Sequence, residues 1–288
     1  MSETWTIRRV LDWTRGHFEK QDVDEPRLTA EILLGHVLGT PRVKLYMDLD
    51  RPLSKDELGT YRGLIQRRLG GEPTQYLVGF KEFYGRKFAV DARVLIPRSE
   101  TELLVEAALR PLKKDEPTRV LDVCTGSGCI AVSIAAERPQ ASVWAVDLMA
   151  GALEVAKANA ATHQVDGRVT FFEGDLLGPV PEGATFDVIV SNPPYVKTGD
   201  LATLQREVQK EPREALDGGA DGVRLIARLV DDALPRLKSG GLLAMEIGED
   251  EGAAVRELLT RAGYHDVKIE KDLARHERIA LGRAPVKG

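Results

Sequence analysis

RVLDVCTGSGCIAVSIA, residues 119–135, joins an apolar run typical of a buried strand to an apolar run of helical length through Gly126, Ser127 and Gly128. At such a turn the backbone N–H groups can approach a ligand that side chains would otherwise block. The stretch from Gly126 to Ala131 also fits the relaxed dinucleotide fingerprint G-x-G-x-x-A, so a nicotinamide cofactor is one interpretation. A tight strand-to-helix turn without a ligand is another.

Three carboxylates near this turn help to choose between cofactors. Asp147 follows the next apolar run, where a carboxylate can accept hydrogen bonds from both ribose hydroxyls of a nucleoside. Asp122 stands just before the glycines, where it would repel a pyrophosphate but attract a cationic amino-acid group. S-adenosylmethionine has such a group and no phosphate, so Asp122 favours it over a dinucleotide. Asp175 could accept from an adenine amino group; a solvated loop acid or a cap is the alternative.

Strand-like and helix-like segments alternate after Pro97, which predicts an α/β fold with a parallel sheet and helices on both faces. The expected strands are 118–123, 142–147, 168–172, 186–191, 240–247, 265–271 and 277–283. The expected helices lie near 100–113, 128–138, 150–163, 221–238 and 250–263. This region, residues 98–288, is predicted to be one domain.

The chain before Pro97 has a different character. Residues 1–75 place apolar side chains at helical spacing and predict a small helical domain. Residues 76–97 roughly alternate apolar and polar side chains and end in a proline, which predicts a β-hairpin linker between the two domains.

Particular residues predict the ends of the N-terminal helices. Asp24 can cap the second helix and Gly39 can close it. Ser54, with Glu57 three residues later, predicts a capping box at the start of a third helix.

Composition narrows the class of protein. No segment of the 288 residues has the uncharged apolar length that spans a bilayer, and the N-terminus is not of signal-peptide type, so we expect a cytoplasmic protein. Cys124 and Cys129 are the only cysteines, too few for a structural zinc site, and we expect no metal. The net charge is −5 and residues 1–80 hold as many acidic as basic side chains, which makes nucleic acid an unfavourable substrate.

SNPPYV, residues 191–196, leaves the apolar run 188–190 through two consecutive prolines. Each proline fixes its own φ and restricts the residue before it, so Asn192 and Pro193 have little conformational freedom. Ligands of open α/β sheets bind beyond the carboxyl ends of the strands, where the strand order reverses, so this corner should form a wall of the active site. An ordinary proline turn, with Tyr195 in the core, is the alternative.

The corner offers two acceptors that suit a planar NH₂ group, the side-chain carbonyl of Asn192 and the backbone carbonyl of Pro193. An amide or aniline-like nitrogen is a poor nucleophile because its lone pair is delocalised. Catalysis must hold the nitrogen in line with a methyl carbon and stabilise the positive charge that develops, and two carbonyl dipoles do both. Tyr195 can stack on the planar group. No strong general base is needed, because a methylated amide nitrogen sheds its proton readily.

The sequence resembles the S-adenosylmethionine-dependent methyltransferases that modify planar nitrogens, in the segments DVCTGSGCIA, VDLMAGALEVAKANA, GDLL and SNPPYV. That group includes adenine-N6 DNA enzymes and glutamine protein enzymes. Over nearly the whole chain it is similar to the HemK/PrmC family, as seen in YLVGFKEFYGRKFAVDARVLIPRSETELLVE, EPREALDGGADG and AGYHDVKIEKDLARHERIALGR. Members of that family methylate the glutamine of the Gly-Gly-Gln motif in class I peptide chain release factors.

The resemblance implies a Rossmann-like class I methyltransferase sheet, mostly parallel with an antiparallel last strand. It also implies S-adenosylmethionine as cofactor, S-adenosylhomocysteine as product and class I release factors as partners, which the helical domain of residues 1–75 would recognise. We expect the protein to be a monomer. The implied catalytic residues, which also bind the substrate, are Asn192, Pro193 and Tyr195, with Pro194 as a further substrate contact. The implied cofactor-binding residues are Asp122, Thr125, Gly126, Ser127, Gly128, Asp147, Leu148, Asp175, Leu176 and Asn192.

Two segments depart from the family pattern. Ser99-Glu100 stands where Pro-Asp is common, and helix capping is the alternative role for Ser99. Arg275-His276-Glu277 stands where a glycine-containing turn is usual, which leaves the shape of that hairpin open.

Three other functions remain open at this point. Glutamine methylation of a ribosomal protein would use the same chemistry on another protein. Adenine-N6 methylation of DNA or RNA would use the same corner on a flipped base. Nucleotide binding without catalysis would leave Asn192 without a chemical role.

Overall fold

The computed structural model describes residues 4–286 and divides the chain into two compact units. The smaller unit runs as far as Phe80 and includes the later segment Gln205–Lys210. The larger unit comprises Lys81–Leu204 and the chain from Glu211 onward. The division therefore falls inside the stretch 76–97 that the sequence predicts as a linker, and the separate roles of the units stay a prediction.

The described part of the smaller unit is helical, as predicted. Its helices are α1 (Ile7–Glu19), α2 (Pro26–Val37), α3 (Arg42–Met47), α4 (Lys55–Leu69) and α5 (Thr74–Val78). Apolar side chains from these helices share one core, in which Phe18, Leu33, Leu34 and Leu45 are completely buried. Burial of one apolar face per helix stabilises a unit of this size.

The helix ends confirm most of the predicted caps. The Ser54 hydroxyl accepts from the Glu57 N–H at 3.2 Å, and the Glu57 carboxylate accepts from the Ser54 N–H at 2.8 Å, so the capping box is present. Gly39 follows the end of α2 with φ +59°. The prediction for Asp24 is wrong: Pro26 is the first residue of the helix, so Glu25 holds the N-cap position, and no side-chain cap hydrogen bond is present there.

The larger unit contains a sheet of seven strands in residues 4–286. The strands are β3 (Thr118–Val123), β4 (Ala141–Asp147), β5 (Val169–Glu173), β6 (Phe186–Ser191), β9 (Leu237–Glu246), β10 (His265–Lys271) and β11 (Glu277–Arg283). Their order is β10-β11-β9-β6-β3-β4-β5. Neighbours from β9 to β5 are parallel, and β11 is antiparallel to both β9 and β10. The expected mostly parallel sheet with an antiparallel last strand is confirmed.

Helices cover both faces of the sheet. They are α6 (Glu102–Leu109), α7 (Cys129–Glu137), α8 (Ala150–Thr162), α9 (Arg224–Ala233) and α10 (Gly252–Ala262). Successive strand residues point to opposite faces, so Val120 joins the core under α6 and α7 whereas Leu121 joins the core under α9 and α10. Within residues 4–286, no helix combines the length and apolar character needed to cross a membrane.

Three smaller elements complete the unit. The predicted hairpin is shorter than its stretch of sequence: β1 (Phe80–Phe83) and β2 (Arg86–Ala89) pair around a turn at Tyr84 and Gly85. The strand β7 (Val196–Lys197), directly after the proline corner, pairs with β8 (Asp217–Gly219). Between β10 and β11, Arg275 has φ +73° and adopts the left-handed conformation that a glycine would otherwise supply.

Candidate active site

A cavity lies beyond the carboxyl ends of β3, β4 and β6. In the sheet, β4 and β5 lie on one side of β3 and β6 and β9 lie on the other, so the strand order reverses at β3. Its wall includes Gly126 and Ser127 from the glycine turn, Asp147 from the end of β4, and Asn192 and Pro194 from the proline corner. The two motifs that the sequence singles out therefore meet at one cavity. This is the position where open α/β sheets bind ligands.

The glycine turn packs closely against α8. Gly128 has φ +77°, and a Cβ at this position would lie 3.0 Å from the Cβ of Ala156. The Asn159 side chain donates to the Ser127 carbonyl at 2.8 Å, which fixes the turn to the helix. Gly128 is therefore required for both its backbone conformation and its packing.

Several N–H groups of the turn donate within the protein. The N–H of Thr125 donates to the Val146 carbonyl, and that of Gly128 donates to the Thr125 carbonyl. The Gly126 N–H donates to Asp147 Oδ2 at 2.8 Å. These three groups are already paired, unlike the free N–H groups with which a phosphate-binding turn holds its anion.

Asp122 lies beneath the turn, and the lining of the cavity does not include it. Its Oδ2 accepts from the Thr125 hydroxyl at 2.6 Å and from the Ala131 N–H at 3.1 Å. Its Oδ1 is buried and has no hydrogen-bond partner among the described residues. Burial raises the pKa of the Asp122 carboxyl to about 7. The side chain therefore holds the turn through one carboxylate oxygen, while its other oxygen accepts no hydrogen bond from the described residues.

Asp147 links the end of β4 to the glycine turn. Besides accepting from Gly126, its other carboxylate oxygen accepts from the Met149 N–H at 2.9 Å. Burial raises the pKa of this carboxyl, and the backbone donors oppose that shift. Leu148, which follows it, is 58% exposed and lines the cavity.

Asp175 and Leu176 reach the cavity from the loop after β5. The Asp175 carboxylate accepts from the Arg228 guanidinium at 2.6 Å, and both side chains are about half exposed. Leu176 is buried and has φ +48°. Asp175 is thus held by an ion pair at the edge of the cavity.

The proline corner begins at the end of β6. The Ser191 hydroxyl donates to the Val123 carbonyl at 2.7 Å and so fixes the corner to β3. Asn192 and Pro194 line the cavity, whereas Pro193 is buried outside the lining. Tyr195 also lies outside the lining, and its ring packs against the core under α9 and α10.

Two buried residues that the sequence did not single out hold this corner. The Asn192 Nδ2 donates to the Thr101 hydroxyl oxygen at 3.3 Å, and that hydroxyl donates to Glu246 Oε2 at 2.6 Å. The Tyr195 hydroxyl donates to Glu246 Oε1 at 3.4 Å. Burial raises the pKa of the Glu246 carboxyl. A charged residue inside the apolar run of β9 was the available signal, since buried carboxylates need partners.

Arg98 and Glu211 fix another part of the cavity wall. The Arg98 guanidinium pairs with the Glu211 carboxylate, which also accepts from the Ile96 N–H at 2.9 Å. Ser99 begins a short 3-10 helix in which no side-chain cap is present, so its capping role is not observed.

No cluster of three or more potential metal ligands is found in residues 4–286. Cys124 and Cys129 are free thiols, and burial raises the pKa of each to about 12. Both flank the glycine turn in their uncharged form.

The chain is similar to known proteins over nearly its whole length. The PrmC N-terminal domain model matches residues 9–79, and the methyltransferase small domain model matches residues 99–221. A release factor glutamine methyltransferase from Geobacter sulfurreducens is 45% identical over 98% of this chain and 98% of its own. Another from Rhodopirellula baltica is 42% identical over 96% of this chain and 95% of its own.

Solved structures agree on the fold. A methyltransferase from Pyrococcus furiosus matches with a TM-score of 0.52 and 19% identity, over 70% of this chain and 91% of that chain. At this identity the match concerns the fold alone. The expected Rossmann-like class I methyltransferase sheet is confirmed.

Proposed function

The chain belongs to the release factor glutamine methyltransferase family, and on that premise we propose that it methylates the Gly-Gly-Gln glutamine of class I peptide chain release factors. The S–CH₃ bond of S-adenosylmethionine would break as the methyl group bonds to the side-chain amide nitrogen, and S-adenosylhomocysteine would leave. The observation that carries this proposal is the meeting of Asn192 and the glycine turn at one cavity.

The residues around the glycine turn fit S-adenosylmethionine better than a dinucleotide. The N–H groups of Thr125, Gly126 and Gly128 are paired within the protein and are not free for a pyrophosphate. Asp122 lies beneath the turn and outside the cavity lining, so its carboxyl would act on a cationic amino-acid group through its charge and not by contact. When bound, the cofactor supplies an electrophilic methyl group on a sulfonium.

Cofactor contacts are proposed for the residues around that turn. Asp147 would accept from the ribose hydroxyls and Asp175 from the adenine amino group. Further proposed contacts are Thr125, Gly126, Ser127, Gly128, Leu148, Leu176 and Asn192, all of which except Gly128 line the cavity. Gly128 acts by allowing the close packing of α8.

The proline corner would hold the substrate amide. The Asn192 side-chain carbonyl and the Pro193 backbone carbonyl each accept one amide hydrogen, which directs the nitrogen lone pair towards the methyl group. Their dipoles stabilise the positive charge that develops as the N–C bond forms. Pro194 lines the site beside Asn192. Tyr195 is proposed as the aromatic neighbour of the amide, although its ring lies outside the cavity lining in this structure and packs against the core. The methylated nitrogen then loses its proton to solvent.

Family membership favours a release factor over a ribosomal protein or a nucleic acid as substrate. The smaller unit is proposed to contact the release factor outside the active site. A monomer acting in the cytoplasm, without a metal ion, completes the proposal.

Methyl transfer from isotope-labelled S-adenosylmethionine tests this function. The wild-type chain is incubated separately with a full-length class I release factor, the same factor with alanine at the motif glutamine, ribosomal proteins and DNA. We expect label in the intact release factor and none in its alanine variant. Label in ribosomal protein or DNA, with none in the release factor, would contradict the proposal.

A further inference from the structure

Asn192 ends a chain of hydrogen bonds that runs into the core of the larger unit. Its Nδ2 donates to Thr101 Oγ1 at 3.3 Å, and the Thr101 hydroxyl donates to Glu246 Oε2 at 2.6 Å. The Tyr195 hydroxyl donates to the other Glu246 oxygen. Thr101 is 1% exposed and Glu246 is 1% exposed, so neither group can exchange its partners for water.

The direction of these hydrogen bonds follows from the number of available protons. A threonine hydroxyl has a single hydrogen, and Thr101 donates it to the ionised Glu246 carboxylate, whose other oxygen accepts from the Tyr195 hydroxyl. The Thr101 oxygen can therefore only accept. Asn192 must turn its NH₂ group towards Thr101, which leaves its carbonyl oxygen available to the cavity that it lines.

The opposite orientation of the Asn192 amide is disfavoured by the same groups. If the amide turned over, its carbonyl oxygen would face the Thr101 oxygen, and two acceptors would meet without a hydrogen between them. A buried polar group left without its partner costs far more than an average hydrogen bond contributes. Without the Thr101 hydroxyl, the two orientations would become similar in energy.

We propose that Thr101, oriented by Glu246, is a positioning residue that sets the Asn192 amide and thereby selects glutamine over glutamate at the site. This inference rests on the proposed function. A glutamine amide offers two hydrogens to the Asn192 and Pro193 carbonyls, whereas a glutamate carboxylate offers only acceptors. The enzyme would reject a release factor whose motif glutamine has been deamidated.

The position of Thr101 supports a positioning role. It ends a short 3-10 helix that leads into α6, and α6 packs against β6 and β9. Glu246 is the last residue of β9 and follows Met245, which pairs with Ser191 at the end of β6. Regular elements hold Thr101 and Glu246, and Asn192 directly follows the end of β6, so the fold sets the orientation of the amide.

Binding of two ligands tests the inference. The probes are a full-length class I release factor and its variant with glutamate at the motif glutamine, each measured by calorimetry with S-adenosylhomocysteine present. The enzymes are the wild type, Thr101→Val and Thr101→Ala. Thr101→Ala is included because the valine methyl would press against the Glu246 carboxylate and could prevent folding.

We expect the wild type to prefer the glutamine form. In Thr101→Val or Thr101→Ala that preference should fall roughly 10- to 100-fold, mainly because the glutamate form binds more tightly. Thr101→Ser keeps the hydroxyl and should restore the preference. Ser133→Ala is the control, because the buried Ser133 hydroxyl, unlike that of Thr101, has no hydrogen-bond partner among the described residues. This variant should leave the preference for glutamine unchanged.

Tighter binding of the wrong ligand separates positioning from simple destabilisation, which would weaken both complexes. An unchanged preference in both hydroxyl-deleted variants, or a lost preference in Thr101→Ser, overturns the inference while the wild type still methylates the release factor. A wild type that does not methylate the release factor removes the proposed function, and this inference with it.

Discussion

Two sides of the cavity are built in different ways. The cofactor side consists of Asp122, the glycine turn and Asp147, and its hydrogen bonds join residues 3, 9 and 21 positions apart. The acceptor side consists of Asn192, Tyr195, Thr101 and Glu246, and its hydrogen bonds join residues 91, 145 and 51 positions apart. The first side is therefore encoded mainly within one strand, turn and helix, whereas the second needs the assembled sheet.

The difference separates what each side contributes. The cofactor side sets backbone conformation and burial, so its changes should alter stability and cofactor affinity. The acceptor side sets the direction of donors and acceptors around the substrate amide, so its changes should alter rate and selectivity while the cofactor still binds.

Asn192→Ala should have the largest effect and tests this separation first. Removing one preorganised acceptor of the developing charge should lower kcat by about 10²- to 10³-fold. The affinity for S-adenosylmethionine should change only a few-fold, because most proposed cofactor contacts remain. Single-turnover kinetics and calorimetry measure the two quantities, and an equal collapse of both would assign Asn192 to the cofactor side.

Substitutions of the glycine turn should act on stability. Gly128→Ala introduces a left-handed alanine whose Cβ lies 3.0 Å from that of Ala156, so it should lower the free energy of unfolding by roughly 2–4 kcal/mol. Gly126→Ala is the matched control, because it has a similar φ but no atom within 4 Å of the new Cβ, and should cost only about 1 kcal/mol. Denaturant unfolding compares them, and equal losses would contradict the packing argument.

Asp122→Asn should change the pH dependence of stability. The pKa of the folded Asp122 carboxyl is raised to about 7, so its contribution to stability is present at low pH and is lost as the pH rises through 7. Removing the ionisation should reduce the loss of unfolding free energy between pH 5 and pH 8 by roughly 1–3 kcal/mol. Denaturant unfolding across this range measures the change.

The pKa of Asp91 is lowered by its hydrogen bond to Arg93, which makes Asp91→Asn a control of opposite sign. The Asp91 carboxylate stabilises the fold at higher pH, and this stabilisation is lost on acidification. The pH dependence that Asp91→Asn removes should therefore lie below the ordinary carboxyl pKa. If the unfolding free energy of Asp122→Asn changes with pH as that of the wild type does between pH 5 and pH 8, the titrating group is not Asp122.

Tyr195→Phe should have the smallest effect. It removes a hydroxyl whose hydrogen bond to Glu246 is 3.4 Å long, but it keeps the aromatic ring. We expect kcat to fall only a few-fold, with the preference for glutamine over glutamate retained through Thr101. A loss as large as that of Asn192→Ala would show that the hydroxyl itself acts in the reaction.

Sequence predicted the fold well because its signals are local. The observed bounds of β3 and β6 coincide with the predicted strands 118–123 and 186–191, since both are continuous apolar runs ended by turn residues. The Ser54 capping box depends on neighbours three residues apart and is also confirmed. The predicted Asp24 cap was wrong because α2 begins at Pro26, which puts the N-cap position at Glu25, one residue later than predicted.

Only part of the candidate site could be predicted from the sequence. Glycine spacing and the two prolines of the corner are visible in the sequence, and the structure brings both motifs to one cavity. Thr101 gave no signal, because its role depends on a carboxylate that lies 145 positions later. Asp122 was expected to attract the cationic group of a ligand, but it is completely buried beneath the turn, where it accepts from the Ala131 N–H of α7.

Peptide mass spectrometry of a full-length class I release factor tests whether the Gly-Gly-Gln glutamine is methylated and whether Asn192 is needed for it. The factor is incubated with S-adenosylmethionine and either the wild-type chain or Asn192→Ala, and the modified residue is located by fragmentation. We expect a single methyl group on the side-chain nitrogen of the Gly-Gly-Gln glutamine with the wild type, and almost none with Asn192→Ala. A methyl group on another residue, or equal methylation by both enzymes, would contradict it.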